Sequence, residues 1–230
     1  MIELAGQIRA VCVGAAGELT FGRRSIKSAF VKKPVEGPLR LGELGFPGDE
    51  HVYENHGGPD MAALVYPLEH YSYWRARGLD LPEASAFGEN LTVTGLVESV
   101  VHIGDVFEVG TSVVQISQPR SPCYKIAARY GRKELAVEAQ ETGFIGYLLR
   151  VIKPGDVSAG DEMRLISRDT HGLTVAEAGR ILNLNRKDVD GARRVLQVET
   201  IGSAVRRSLT ARVATQGDTE PAAHRLYGLE

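Results

Sequence analysis

Residues 111–125 read TSVVQISQPRSPCYK. The first eight are rich in β-branched side chains, which favour a strand. Pro119 and Pro122 then stiffen the chain, and Cys123 follows at the position where a helix is expected to begin. The stretch therefore predicts a strand that leads into a helix, with a thiol at the junction.

Short strands with glycine turns are expected on both sides of this junction. Glycine-aspartate pairs at 104–105 and 160–161 precede two of them, because glycine tolerates a positive φ and aspartate bonds to nearby backbone amides. The other strand-like stretches are residues 8–14, 93–109 and 111–118. Many short strands separated by turns favour a barrel or a sandwich, and we prefer a barrel with peripheral helices. The fold class is thus mainly β with α.

Three helices are expected to interrupt the strands. Pro67 suits the first turn of a helix that runs to about Ala76 and ends before Gly78. The other two are expected from about Pro122 and over residues 133–141.

After Arg168 the pattern becomes helical. Thr174 and Glu177 form a capping box, and apolar residues then recur at helical spacing in three segments. We therefore divide the chain into a barrel, residues 1–168, and a three-helix bundle, residues 169–230. The bundle's apolar faces are narrow, so we expect it to dock on the barrel or on a partner. The tail from Thr215 is mostly polar.

Composition excludes several classes of protein. The chain has 230 residues, of which 24% are charged and 43% hydrophobic, as in a packed globular protein. The net charge of −2 provides no global basic field for nucleic acid or an anionic membrane. Residues 1–10 lack the features of a signal peptide, and no stretch approaches the roughly 18 apolar residues that span a bilayer. We expect a cytoplasmic location, where a disulfide between the two cysteines is disfavoured.

The two cysteines have different sequence contexts. A helix N-terminus together with Arg120 and Lys125 would favour the thiolate of Cys123, which is both a nucleophile and a metal ligand. The alternative is a buried packing cysteine. Cys12 lies between Val11 and Val13, and we interpret it as a packing residue.

A second motif spans residues 48–60, which read GDEHVYENHGGPD. The glycine pair Gly57-Gly58 would let backbone amides approach a ligand closely. His51, His56 and Asp60 are also possible zinc ligands, although their spacing is unusual for zinc. A structural turn is the third interpretation, and we favour a loop that faces a ligand.

Two weaker motifs complete the set. Residues 23–28 read RRSIKS, and such clustered cations and hydroxyls suit a phosphate or simply a solvated loop. Residues 86–91 read AFGENL, a turn in which Asn90 offers both a donor and an acceptor.

Together these segments resemble the MOSC family, and specifically its YiiM-type branch. The matching segments are residues 56–60 (HGGPD), 66–71 (YPLEHY), 87–91 (FGENL) and 117–125 (SQPRSPCYK). Their order and spacing agree from about Gly42 to Arg168, and the C-terminal helices resemble the three-helix domain that follows in this branch. The resemblance covers nearly the whole chain.

The resemblance implies a barrel whose cleft holds a molybdenum-pterin cofactor (molybdopterin). It assigns Cys123 as the molybdenum ligand, a suitable role for a soft thiolate. It also implies that Lys27 and Ser28 bind the pterin phosphate, and that His56 or Asp60 delivers a proton. The further candidates for cofactor binding are Gly57, Gly58, Asn90, Arg120, Ser121 and Lys125.

The reaction implied by the resemblance is reduction of small N-hydroxylated compounds, namely hydroxylaminopurines, hydroxylamines or amidoximes, as in detoxification of base analogues. The chain has no flavin motif and no cysteine cluster for iron–sulfur ligation, so electrons are expected from a separate flavin or iron–sulfur reductase.

Two other functions remain open at this point. Cys123 would carry a persulfide in a sulfur or cofactor carrier. Alternatively, residues 174–183 would start a helix-turn-helix whose arginines contact DNA, although a helix pair alone is a weak motif. The arginines in question are Arg193, Arg194, Arg206, Arg207 and Arg212.

Overall fold

The computed structural model describes residues 4–53, 56–217 and 223–228. Residues 1–3, 54–55, 218–222 and 229–230 lie outside the described residues, and they include Asn55 of the motif at residues 48–60. Within the described part of the chain the strands are β1 (Ala5–Val13), β2 (Gly17–Phe21), β3 (Arg24–Ser28), β4 (Lys33–Pro34), β5 (Leu39–Leu41), β6 (Ala63–Pro67), β7 (Leu91–Thr94), β8 (Val106–Val109), β9 (Ser112–Pro119), β10 (Tyr147–Lys153), β11 (Gly155–Val157) and β12 (Glu162–Ser167).

Seven of these strands close into a barrel in the order β1-β12-β8-β9-β10-β6-β7. Closure follows because β1 pairs with β12 on one side and with β7 on the other. The β6–β7 pair is parallel, and the other neighbours in the barrel are antiparallel. A closed sheet leaves no exposed edge, which explains how many short strands become stable together. The barrel prediction is confirmed.

The α-helices are α1 (His70–Arg75), α2 (Tyr124–Tyr130), α3 (Leu135–Thr142), α4 (Val175–Asn183), α5 (Val189–Gln197), α6 (Ser203–Ala214) and α7 (Ala223–Tyr227), and a 3₁₀ turn covers Pro59–Met61. The prediction that Pro67 opens a helix is wrong. Pro67 ends β6 instead, and α1 begins at His70. A strand end tolerates a proline, since the next residue, Leu68, supplies the N–H that bonds to the Val93 carbonyl.

The expected strand over residues 93–109 is also divided. Its ends belong to β7 and β8, and the residues between them form turns. Gly95 and Gly104 adopt φ values of 84° and 92°, a left-handed conformation that interrupts a strand at each end of the connection. The stretch therefore holds two strands, and the second begins after the predicted Gly104-Asp105 turn.

The C-terminal helices share one apolar core with the barrel. Val175 and Ala178 of α4, Val195 of α5 and Leu209 of α6 are almost completely buried in the same cluster as barrel residues such as Ile116. The Thr174 side chain accepts a hydrogen bond from the Glu177 amide, which confirms Thr174 as the N-cap residue of α4, while the Glu177 carboxylate pairs with Arg194. The apolar faces of α4–α6 thus pack in one core with the barrel.

A second core lies under α1–α3 and is aromatic. The Tyr66 ring stacks on Phe87 with their centroids 4.5 Å apart, and the Trp74 indole N–H donates to the Tyr66 hydroxyl at 2.8 Å. Ile126 and Leu135 pack against the same cluster from α2 and α3. Burying each such side chain contributes about 1.5–3 kcal/mol, so the helix that follows Cys123 has a rigid base. None of the helices described here is long and apolar enough to cross a membrane.

Candidate functional site

Cys123 lies at the junction predicted from the sequence. β9 ends at Pro119, and Cys123 is the N-cap residue of α2, with an extended backbone (φ −128°, ψ 166°). Its carbonyl accepts the Ile126 amide at 3.1 Å, which closes the first turn of the helix. The residue is neither buried nor fully exposed, so its thiol is accessible from a cavity.

This cavity has a volume of about 420 Å³, within the range of small-molecule sites. Four cationic residues line it together with Cys123: Lys32, Arg120, Lys125 and Arg225. Glu50 is the carboxylate residue in the described lining. The excess of positive charge indicates an anionic ligand.

Arg120 is a buried cation of this cavity. The residue is 8% exposed, and its backbone N–H donates to the Gly146 carbonyl at 3.1 Å. Its guanidinium carbon lies 6.0 Å from the centre of the Phe30 ring, and its Nη1 atom is buried without a hydrogen-bond partner among the described residues. Burial lowers the pKa of this guanidinium, while Cys123 opposes the shift. A buried donor without an acceptor is costly, so a ligand atom is the natural partner for Nη1.

Lys125 forms a second polar group beside the thiol. Its Nζ lies 3.1 Å from His56 Nδ1 and 3.9 Å from the centre of the Tyr53 ring. Desolvation of the imidazole, reinforced by the Lys125 cation, lowers the pKa of His56 to about 4. The neutral His56 therefore accepts from Lys125 at Nδ1 and carries its own proton on Nε2.

Lys32, by contrast, is already neutralised. Its ammonium group pairs with Asp49, whose other oxygen accepts from Asn90 Nδ2 at 2.8 Å. Asn90 also donates to the Cys12 carbonyl and accepts the Leu64 amide at Oδ1. Asn90 thus ties the ends of β1, β6 and β7 together, although it lines the cavity as predicted.

Hydrogen bonds to α4 hold the cysteine segment, residues 117–125, in place. Ser121 donates from Oγ to Asn183 Oδ1 at 2.9 Å, and Asn183 Nδ2 donates to the Arg120 carbonyl at 3.2 Å. Asn183 is the last residue of α4. The helical part therefore helps to build the cavity wall.

The structure brings most of the predicted site residues together. Those that line the cavity are Ser28, His56, Asn90, Arg120, Ser121, Cys123 and Lys125. Lys27 does not join them: it is exposed on β3, because successive strand residues face opposite sides and Ser28 takes the inner one. Gly57 and Gly58 also lie outside the lining. A Cβ on Gly57 would approach the His51 ring to 3.0 Å, so this glycine permits close packing of the loop.

Asp60 has a structural position. It pairs with Arg150 of β10 and accepts the Ser203 amide at 2.7 Å, at the start of α6. Burial alone would raise the pKa of Asp60, but the Ser203 and Arg150 partners hold it below its usual value. Asp60 is not among the residues that line the cavity with Cys123. No group of three potential metal ligands among His, Cys, Asp and Glu occurs in the described residues, and the zinc interpretation gains no support.

Three residues of the site were not predicted from the sequence: Lys32, Asn183 and Arg225. Lys32 stands among other lysines and prolines without a motif. Asn183 and Arg225 come from the helical part and the tail, in which no site residue is predicted from the sequence. These contacts join residues 62 and 103 positions apart, and no pattern of neighbouring residues in the sequence predicts them.

The donor set fits the cofactor that the resemblance implies. A molybdenum-pterin group needs a soft ligand and cationic partners for a phosphate, and Cys123, Arg120, Lys125 and Arg225 line one cavity. The buried Nη1 atom of Arg120 lacks an acceptor within the part of the chain that the structure describes.

The chain is similar to several known proteins. A family model for the MOSC domain matches residues 52–164. The Escherichia coli protein YiiM is 42% identical over 205 residues, which cover 87% of this chain and 91% of YiiM. YflK of Bacillus subtilis is 40% identical over 198 residues, which cover 85% of this chain and 89% of YflK. A protein of Gibberella moniliformis named "Reductase" is 34% identical over 182 residues, which are 77% of this chain but 31% of that protein.

Solved structures share the fold. The crystal structure of YiiM from Geobacillus stearothermophilus has a TM-score of 0.77 at 31% identity, with 90% of this chain and 99% of that chain covered. YiiM from Escherichia coli has a TM-score of 0.74 at 37% identity, with 92% and 97% covered. The chain therefore belongs to the MOSC-domain family. Within that family it is of the YiiM type.

Proposed function

We propose that this protein is a molybdenum-cofactor-dependent reductase that converts N-hydroxylated compounds into the corresponding amines or, from amidoximes, amidines. The net reaction is R–NH–OH + 2e⁻ + 2H⁺ → R–NH₂ + H₂O, so the N–O bond breaks and the oxygen leaves as water. The substrates are the hydroxylaminopurines, hydroxylamines and amidoximes expected from the resemblance.

One observation carries the proposal: Cys123 lies on the wall of a ligand-sized cavity whose other charged groups are predominantly cations. Thiolate is a ligand that soft metals accept, and the cations suit the anionic phosphate of a pterin cofactor. The bound cofactor would supply two-electron, oxygen-atom chemistry. Arg120, Lys125 and Arg225 would hold its anionic groups, and Ser121 keeps the cysteine segment attached to α4.

The proton-handling groups follow from the hydrogen bonds of the free site. Lys125 Nζ lies 3.1 Å from His56 Nδ1, so this hydrogen bond does not use the Nε2–H of His56, a residue that lines the cavity. We assign His56 as a hydrogen-bond donor to the substrate and Lys125 as the cation that fixes its tautomer. Asp60 is left out of this assignment because Arg150 and Ser203 occupy it.

Electrons are proposed to come from a separate reductase. The similarity to the fungal protein named "Reductase" supports a redox role, since a segment like this chain forms about a third of that longer protein. The match leaves about two thirds of the fungal protein uncovered. For the present chain we propose that a separate reductase binds to it and donates the electrons.

The decisive experiment uses protein produced in cells that make the cofactor. Molybdenum and pterin content per chain are measured, and the reduction of an N-hydroxylated purine by a chemically reduced viologen is followed through formation of the amine. We expect close to one molybdenum per chain and turnover that disappears in Cys123→Ser. The matched variant Cys12→Ser should retain both.

The same preparation tests the sulfur-carrier alternative. Molybdenum-free protein without reductase activity, whose Cys123 peptide carries the mass of one additional sulfur atom, would replace the reductase proposal by a persulfide carrier. A helix-turn-helix function is less well supported, since Arg212 is buried against the end of α4 and Arg194 pairs with Glu177.

A further inference from the structure

The C-terminal tail contacts the cysteine segment on both sides of Cys123. From α7, Arg225 donates through Nη1 to the Pro122 carbonyl. Three residues later, Gly228 lies so close to Tyr124 that a Cβ on it would meet the ring at 3.1 Å. The tail therefore touches the residue before the thiol and the residue after it.

Arg225 brings a charge into the cavity that its hydrogen-bond partners among the described residues do not neutralise. Its Nη1 and Nη2 donate to a backbone carbonyl and to Gln140 Oε1, at 3.2 Å for the latter, and both acceptors are uncharged. A guanidinium has five N–H groups, so donors remain for a ligand. Within the described residues no carboxylate is at salt-bridge distance from Arg225.

Arg120 independently indicates the same kind of ligand. Its buried Nη1 lacks a partner among the described residues, and it lines the same cavity. Lys32 is paired with Asp49, and a Cys123 thiolate and Glu50 together compensate two further cations at most. The charges of Arg120, Lys125 and Arg225 therefore leave the cavity with a net positive charge. Burying unpaired cations is unfavourable, and an anion that accepts from several of them removes this cost.

We propose that Arg225 is an anion-binding residue of the cavity and that it holds a phosphate-type oxyanion of the ligand near Cys123. In the proposed reductase this anion is the phosphate of the pterin cofactor, and that part of the inference rests on the proposed function. The planar fork of the guanidinium suits two oxygens of one phosphate.

The charge of Arg225 is tested on the full chain prepared without cofactor. Cys123 is alkylated with iodoacetate, which is anionic, and with iodoacetamide, which is neutral, and the rates are read from the Cys123 peptide by mass spectrometry. We expect the ratio of the two rates to fall about fivefold in Arg225→Gln, because one nearby positive charge is removed. Arg225→Lys should keep the ratio, and so should Arg207→Gln, which removes an exposed arginine from α6.

Inorganic phosphate gives the second readout. It should slow iodoacetate at Cys123 in the original protein, and Arg225→Gln should need about tenfold more phosphate for the same protection, as expected for the loss of a charge-assisted hydrogen bond. An unchanged rate ratio in Arg225→Gln overturns the proposal. So does an equal fall in Arg225→Lys, since the tail would then act by holding Pro122 and not by its charge.

Cofactor content separates this inference from the proposed function. If the original protein binds molybdenum, Arg225→Gln should retain about a tenth of it or less, and full retention would refute the phosphate assignment. If the original protein made in cofactor-competent cells contains no molybdenum, the reductase proposal fails. The two alkylation readouts then still decide whether Arg225 binds an anion.

Discussion

Cys12 and Cys123 have the same side chain in opposite surroundings. Cys12 is completely buried on β1, and burial raises the pKa of its thiol to about 12, which keeps it neutral. Cys123 caps α2 at the edge of a cavity that also holds Arg120, Lys125 and Arg225. The comparison teaches that charge and access decide whether a thiol serves as a ligand, because a neutral thiol without a route to solvent coordinates poorly.

The largest contrast is expected from matched serine variants. Cys123→Ser should lose bound molybdenum and reductase activity, while its free energy of unfolding changes by less than about 0.5 kcal/mol, since a half-exposed site tolerates the substitution. Cys12→Ser should retain both functions but lose about 1–3 kcal/mol of stability, because it places a hydroxyl at a fully buried position that a thiol fills. Metal analysis and urea unfolding measure the two effects. Loss of molybdenum from Cys12→Ser would reverse the assigned roles.

Two buried arginines extend the comparison. Each has one buried nitrogen without a partner among the described residues, Nη1 in Arg120 and Nε in Arg212. Arg212, however, also donates through Nη1 and Nη2 to the Ile181 and Leu182 carbonyls near the end of α4. Arg120→Met should reduce cofactor retention about tenfold yet leave the cofactor-free protein equally or more stable, because an uncompensated buried charge is removed. Arg212→Met should leave retention unchanged and cost about 1–3 kcal/mol through lost hydrogen bonds.

The relevant measurements are pterin content after dialysis and chemical unfolding of both variants without cofactor. A marked loss of stability in Arg120→Met would show that its charge is compensated inside the protein, and the case for an anionic ligand would weaken accordingly.

A smaller effect is expected in the pH dependence of His56. Because the pKa of His56 falls from its ordinary 6.5 to about 4, the folded protein binds fewer protons there than the unfolded chain. Stability is therefore lost as the pH falls from about 6.5 to about 4 and is unaffected by this group at higher pH. Lys125→Met should raise the His56 midpoint, since it removes a nearby cation, and NMR titration of the imidazole measures it. An unchanged midpoint in Lys125→Met would show that the Lys125 cation does not lower the pKa of His56.

The smallest effect concerns Lys27 and Ser28. Ser28 is 3% exposed and lines the cavity, whereas Lys27 points to solvent from the same strand. Lys27→Ala should therefore change cofactor retention less than about twofold, as expected for an exposed charge, and Ser28→Val should reduce it further by filling the cavity wall. Pterin content after dialysis compares the two. A greater loss in Lys27→Ala would restore the phosphate-binding role that the resemblance implies.

Local patterns predicted much of the fold. The β-branched run of residues 111–118, the glycine-aspartate turns and the Thr174 capping box correspond to β9, to the entries of β8 and β12 and to α4. These features depend on backbone preferences over a few residues, which a sequence contains directly. Pro67 was misread because the same fixed φ serves a helix start and a strand end, and only pairing with a neighbouring strand distinguishes them.

For the site, the sequence by itself determined Cys123, its position at a helix start and the cations within two or three residues of it. Tertiary structure decided which other groups reach that thiol. It turned Lys27 outward and Ser28 inward, assigned Asp60 to Arg150 and Ser203, and brought Asn183 and Arg225 to the cysteine segment. The physical reason is that hydrogen bonds and charge pairs depend on distances of a few ångströms, and the closed barrel with its docked helices sets those distances between residues far apart in the chain.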